Sequence, residues 1–331
     1  MSRNKVCYFS IAIVLLFVVI FLSLALGAAH LTPIQLLNAI KEGSGKSVAG
    51  NIFWFVRFPR TVAGLLSGAG LAVSGVVIQS VLSNKLASPG IIGVNAGAGF
   101  AVTLCCAFGV FSGWVIAGSA FIGALLSTLL VVGVAQKMNA SRTTVILGGV
   151  AMNSFLNAGS EIITTLFPDV AIMSGDFRVG GFTSVVSARL LPAGILIVGG
   201  ILFLLTLCNE LDLLTLGEET AQGLGVSVKK MRSIFLVTAA LLAGASVSFA
   251  GLLGFVGLIV PHIARKLVGG ENRFLLPFAA IIGATFVTLC DLVARLVFKP
   301  YEVPVGILMS FIGGPFFVFL LLKNKGGHKR D

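Results

Sequence analysis

Side chains able to do chemistry are scarce in this sequence, and those present are scattered. The stretch GSGKS at 43–47 ends like a phosphate-binding loop. That motif needs a glycine five residues before Gly45, where this chain has Ile40, and no buried strand precedes it. The three histidines, His30, His262 and His328, form no H-E-x-x-H or comparable cluster, so no metal site is expected. No G-x-S-x-G elbow presents a serine nucleophile. Cys7, Cys105, Cys106, Cys208 and Cys290 lie in or beside apolar runs, without C-x-x-C or mixed Cys/His spacing, and read as small apolar residues. Four ionisable residues lie in or near the long apolar runs: Glu161, His262, Asp291 and Arg295. An ion-coupled carrier binds its ion with carboxylates near mid-membrane, whereas these residues are predicted toward helix ends. Asp291 and Arg295, spaced i, i+4, either pair with one another or serve a function.

The elements that must position such residues are set by composition. Of 331 residues, 57% are hydrophobic and 11% charged, against roughly 45–50% and about 25% in a soluble domain. This excludes a water-soluble globule. At about 20 apolar residues per crossing there is room for roughly eight to eleven helices and no large extramembrane domain. Apolar runs bounded by charges, proline or glycine clusters predict helices at 8–28, 61–82, 91–108, 114–135, 143–166, 191–208, 233–249, 252–267, 275–297 and 304–322. The first follows Arg3 and Lys5 and outlasts a signal-peptide core, so it is read as a retained span. The least secure cut is AGASVSFAGLLG at 243–254, where one continuous helix would give nine spans. Gly64/Gly68 and Gly93/Gly97, spaced G-x-x-x-G, and the nearby Gly70 and Gly99 suit close helix crossings better than dinucleotide loops.

The formal charge of +11 would suggest nucleic acid in a soluble protein; here it orients the chain. With ten spans, fifteen of the 23 lysines and arginines fall on the side of the N-terminus and eight on the other. Both termini are therefore expected in the cytoplasm. The external loop 30–56 contains TPIQLLNAIKEG, where Thr32 can cap a short helix carrying Ile34, Leu37 and Ile40 on one face. The cytoplasmic loop 209–232 carries Glu218, Glu219, Ala221 and Leu224 in a short amphipathic helix that Gly225 stops. It has nothing of its own to bury against and suggests a docking surface.

Four blocks carry a resemblance: RFPRTVAGLLSGAGLAVSGVVIQSVLSNKLASPGIIGVNAGAG (57–99), TLGEETAQGLGV (215–226), GFVGLIVPHIARKLVG (254–269) and YEVPVGILMSFIGGPFF (301–317). In this order they resemble the permease subunits of ABC importers for iron-siderophore, haem and cobalamin, the FecCD/BtuC-like permeases. The resemblance implies an all-α integral membrane protein of about ten transmembrane helices with a BtuC-like type II importer fold, residues 1–331 forming one permease domain. It implies a homodimer or a pairing with a paralogous permease, two cytoplasmic ATPase subunits that hold the ATP and Mg, and an extracytoplasmic substrate-binding protein. No cofactor is expected in this chain, and its remaining contact is membrane lipid.

By position, the resemblance assigns Glu218, Glu219, Ala221, Leu224 and Gly225 to ATPase coupling; physically, Lys229, Lys230 and Arg232 suit anchoring of that segment to anionic headgroups. It assigns Arg57, Arg60 and Arg295 to docking of the binding protein, since an arginine fork can hold a carboxylate bidentately; the alternative is that they anchor helix ends. Asn84 and Leu86, with Ala140 and Ser141 near a second constriction, fall at the cytoplasmic gate, although Lys85 replaces the family's usual proline. Asp176 and Arg178, where the family is mostly neutral, either pair locally or line the outer mouth. The expected function is import of an iron chelate, ferric siderophore first, haem second and cobalamin third. The rival class is an ion-coupled secondary transporter.

Overall fold

A computed structural model describes residues 3–27, 32–43, 45, 47–138, 141–297 and 301–325. Long apolar runs without strand patterning fold as helices, and fifteen α-helices lie among the described residues. They are α1 (Arg3–Ala25), α2 (Pro33–Glu42), α3 (Val48–Asn51), α4 (Phe58–Val81), α5 (Val94–Ala107), α6 (Gly113–Lys137), α7 (Arg142–Leu166), α8 (Pro168–Val179), α9 (Ser187–Thr206), α10 (Cys208–Thr215), α11 (Glu218–Gly223), α12 (Val228–Ala250), α13 (Val256–Val268), α14 (Asn272–Val297) and α15 (Val305–Lys325). A π-helical turn, Ile52–Arg57, joins α3 to α4. Each of the ten predicted apolar segments coincides with one of these helices. Six segments are long and apolar enough to cross a membrane by length and composition, and Val94–Ala107 and Val305–Leu320 are shorter apolar helices.

The doubtful cut at 243–254 is a break. Helix α12 stops at Gly251, whose φ of 70° ends the helix, and α13 starts after Phe255, also left-handed at φ 64°. A second irregular stretch, 82–93, separates α4 from α5, yet Leu82, Ala87 and Ile92 are buried within the chain. Non-helical backbone in a membrane protein is tolerated where protein surrounds it, as it surrounds Leu82, Ala87 and Ile92 in one break and Gly251 and Leu253 in the other.

Side-chain hydrogen bonds and ion pairs sort the helix ends onto two faces. On one, Lys5 of α1 pairs with Glu271 before α14, while Arg142 at the start of α7 reaches Ser83 after α4 and the Leu214 carbonyl of α10. On the other, Arg57 reaches the last carbonyls of α1, and Arg60 of α4 reaches Asp291 near the end of α14. The Lys5 face is the one that charge counting assigns to the cytoplasm.

Helix α4 is the centre of the packing, held against α14 and α13 by glycines. A Cβ on Gly68 would fall onto the Gly283 carbonyl oxygen, and one on Gly75 onto the Gly257 carbonyl oxygen. Without a hydrophobic driving force between helices, such backbone-to-backbone approach carries the association. Gly68→Ala is expected to destabilise by about 1–3 kcal/mol, the cost of overpacking, because the obstacle is backbone and has no rotamer to yield. Thermal unfolding in detergent checks this, with Gly118→Ala, where a Cβ meets open space, as the neutral control.

Candidate functional site

Two polar assemblies sit at opposite ends of the bundle. The inner one is built around α10 and α11. Helix α11 opens after Gly217 at φ 114° and closes in a Schellman motif: the Val226 N–H donates to the Ala221 carbonyl (3.0 Å) and the Gly225 N–H to the Gln222 carbonyl (2.9 Å), with Gly225 at φ 82°. Gly225 thus stops the helix, and fully buried Ala221 seats it against the bundle.

The two glutamates point to different partners. The Glu218 carboxylate pairs with Arg232 of α12 and lies 3.6 Å from Arg142 of α7. Glu219 is exposed, with no ion pair among the described residues, and Leu216 and Leu224 are exposed beside it. Arg142 is the hub, donating also to Ser83 and, at 3.0 Å, to the Leu214 carbonyl. Asp212 of α10 caps α14, accepting from the Asn272 N–H (3.0 Å) and its Nδ2 (2.7 Å). The α10–α11 hairpin is thereby fastened to α7, α12 and α14. Sequence reasoning counted Arg142 only as one more cytoplasmic charge and missed Asp212 and Asn272. Arg232, expected beside headgroups, is turned to Glu218 instead.

Next to this hub lies the segment assigned to the gate. The Asn84 carbonyl accepts from the Ala87 N–H (3.1 Å), closing a four-residue turn, and its Oδ1 accepts from the Leu86 N–H (2.9 Å). Lys85 occupies the second position of that turn, one that proline also suits, and its side chain is exposed. The substitution therefore leaves the turn intact. Ser141 caps α7 through its Oγ, which accepts from the Thr144 N–H at 3.3 Å; Ala140 lies outside the described residues. Behind the hairpin, burial, reinforced by Asp212 and Glu210, pushes the Cys208 thiol up, making it a poor nucleophile.

The outer assembly holds Arg57, Arg60 and Arg295, only 2%, 5% and 3% exposed. Arg60 grips Asp291 with Nε (3.1 Å to both oxygens) and Nη2 (3.0 Å), and gives Nη1 to Glu302 at 2.6 Å. Arg295 takes the other side of Asp291 (3.1 Å) and donates to Ser23 of α1 (2.8 Å). Arg57 donates to the Leu24 and Ala25 carbonyls at 2.9 and 2.6 Å, closing the end of α1. Asp291 and Arg295 pair, as their spacing allows, and of the two sequence readings the geometry supports anchoring of helix ends. Glu302 and Ser23, unforeseen, complete the cluster.

Asp176 and Arg178 do not pair; among the described residues Arg178 has neither an ion pair nor a hydrogen bond. Its side chain instead borders a cavity of about 330 Å³ between α5, α7 and α8. His262 stacks edge-on against Phe316 at 6.0 Å. No group of three or more potential metal ligands occurs among the described residues.

Comparison with known proteins agrees with this architecture. The chain is 35% identical over 336 residues to the iron(3+)-hydroxamate import system permease protein FhuG of Bacillus subtilis strain 168, covering 97% of this chain and 98% of that one. It is 34% identical over 308 residues to the vitamin B12 import system permease protein BtuC of Vibrio cholerae, covering 92% and 90%. A metal-chelate type ABC transporter solved in an inward-facing conformation superposes with a TM-score of 0.85 at 31% identity, covering 96% of this chain and 99% of that one. The protein is a permease subunit rather than an ATPase, multi-pass in the cell membrane, with the BtuC-like fold. The profile of the FecCD transport family matches residues 15–323, and the chain belongs to that family of ABC importer permeases.

Proposed function

We propose that the chain imports a ferric siderophore, as one half of a homodimeric pore driven by ATP hydrolysis on two cytoplasmic subunits and supplied by an external binding protein. The ten helices then all cross, with the Lys5 face inward, and nucleotide and Mg are bound by the partners alone. The observation that carries the coupling is the Arg142 hub. It joins α11, where an ATPase would push, to α7 and to the 83–87 turn assigned to the gate. Packed helices transmit such a push as a rigid-body shift. We assign Glu219, Leu216 and Leu224 to the ATPase contact and Glu218 to the internal joint. Arg57, Arg60 and Arg295 hold the outer frame. For them to receive carboxylates of a binding protein, those groups would have to displace Asp291 and Glu302.

The test is transport by the full importer reconstituted in liposomes, comparing a ferric hydroxamate siderophore, haem and cobalamin. ATP-dependent uptake at least about tenfold faster for the siderophore supports the reading. Faster haem or cobalamin uptake replaces the substrate. Uptake that persists without the ATPase and collapses with the ion gradient establishes a secondary carrier instead.

A further inference from the structure

The cavity beside Arg178 combines features that no inner or outer assembly requires. Asn153, Asn157 and Ser160 follow i, i+4, i+7 along one face of α7, and all three border it. Asn153 lies near the middle of α7; its Nδ2 donates to the Gly90 carbonyl (2.8 Å), which fixes the amide's orientation and leaves its buried Oδ1 without a partner. Across the cavity, Asn95 and Ala96 are the second and third residues of α5, a 14-residue helix whose first-turn N–H groups have no intrahelical acceptor. Arg178 at the end of α8 adds a guanidinium with no ion pair or hydrogen bond among the described residues. No carboxylate lines the space. The nearest acidic residues along these helices, Glu161 and Asp176, are exposed, and neither forms an ion pair among the described residues.

An exposed cation at the rim of an open polar cavity, backed by a helix N-terminus and amide donors, favours an oxyanion. We propose that this cavity is an oxyanion subsite on the translocation route, taking a carboxylate or similar anionic oxygen group of the transported chelate, with Arg178 as the charge and Asn157 and the α5 first turn as supporting donors. The assignment rests on the chelate-permease reading above.

The test reads the cavity without relying on transport. Asn157→Cys in the full chain, in nanodiscs, is labelled with anionic sulfonatoethyl and cationic trimethylammonioethyl methanethiosulfonates, the wild-type chain giving the background of native cysteines. Ser160→Cys is the second site should the first reduce yield. The anionic reagent is expected to react about tenfold faster, one nearby unit charge in a partly desolvated site. Adding Arg178→Gln reduces the ratio to under twofold, while Arg178→Lys keeps it. Millimolar citrate, a free tricarboxylate, slows labelling by an uncharged thiosulfonate only while Arg178 is present. Equal rates, a preference for the cation, no labelling at all, or no protection by citrate overturns the subsite. An importer that moves siderophore yet labels without preference sinks the subsite alone; one that moves no chelate while preferring the anion sinks the substrate reading and leaves an anion site.

Discussion

Asp291→Asn is expected to destabilise the chain by about 3–5 kcal/mol, the cost of removing one partner from a buried ion pair. Asp291 is the shared counter-charge of Arg60 and Arg295, each at about 3 Å, and all three are nearly inaccessible. The asparagine keeps the shape and leaves two guanidiniums facing each other. Glu302 then answers only Arg60, from the cluster's partly exposed edge. Glu302→Gln is accordingly expected to cost less, about 1 kcal/mol, because water can replace it. Thermal unfolding of purified protein and the amount recovered from membranes measure both. An unchanged melting temperature for Asp291→Asn would mean that the cluster contributes nothing to the outer frame. The same geometry bears on docking experiments: charge reversal at Arg60 breaks this cluster, so lost binding-protein affinity in such a variant reports folding and docking together.

Arg142→Ala is expected to lower ATP-driven uptake by about 10- to 100-fold while leaving the protein in the membrane and ATP hydrolysis running. It removes charge-assisted bonds to Glu218, Ser83 and the Leu214 carbonyl, each worth up to about 1.5–3 kcal/mol and less where solvent reaches it. Those bonds join the α10–α11 hairpin, assigned above to coupling, to α7 and to the 83–87 turn assigned to the gate. Glu218→Ala acts in the same direction but less, since Arg142 keeps two of its partners. Glu219→Ala is expected to weaken ATPase association without uncoupling what remains bound. The ratio of chelate imported to ATP hydrolysed separates these outcomes. A normal ratio in Arg142→Ala shows that force reaches α7 by another route.

Much of this was legible in the sequence. Ten apolar runs located ten helices, and the doubtful break at 243–254 was marked by its small residues. Boundaries slipped where charge was read as an end: 233–249 is 228–250, because Lys229, Lys230 and Arg232 belong to the first turns of α12. Gly225 was readable as a helix stop because the Schellman turn is local. The roles of the charged residues were not readable. Arg60 meets partners 231 and 242 residues away, and Arg142 meets Ser83 59 residues back and Glu218 far ahead. No spacing rule spans such distances. The face of Asn153, Asn157 and Ser160 did carry a local signal, a helical polar spacing inside an apolar run.

The separation of Arg60 from Asp291 also sets a schedule for biosynthesis. At about 5–20 residues per second, the ribosome makes Asp291 roughly ten to fifty seconds after Arg60. Throughout that interval the second long helix holds Arg60 without its carboxylate, at the edge of the lipid or within the insertion machinery. The outer frame closes only once α14 has been delivered. A chain that terminates before α14 is left with this charge exposed, a recognisable mark for membrane quality control.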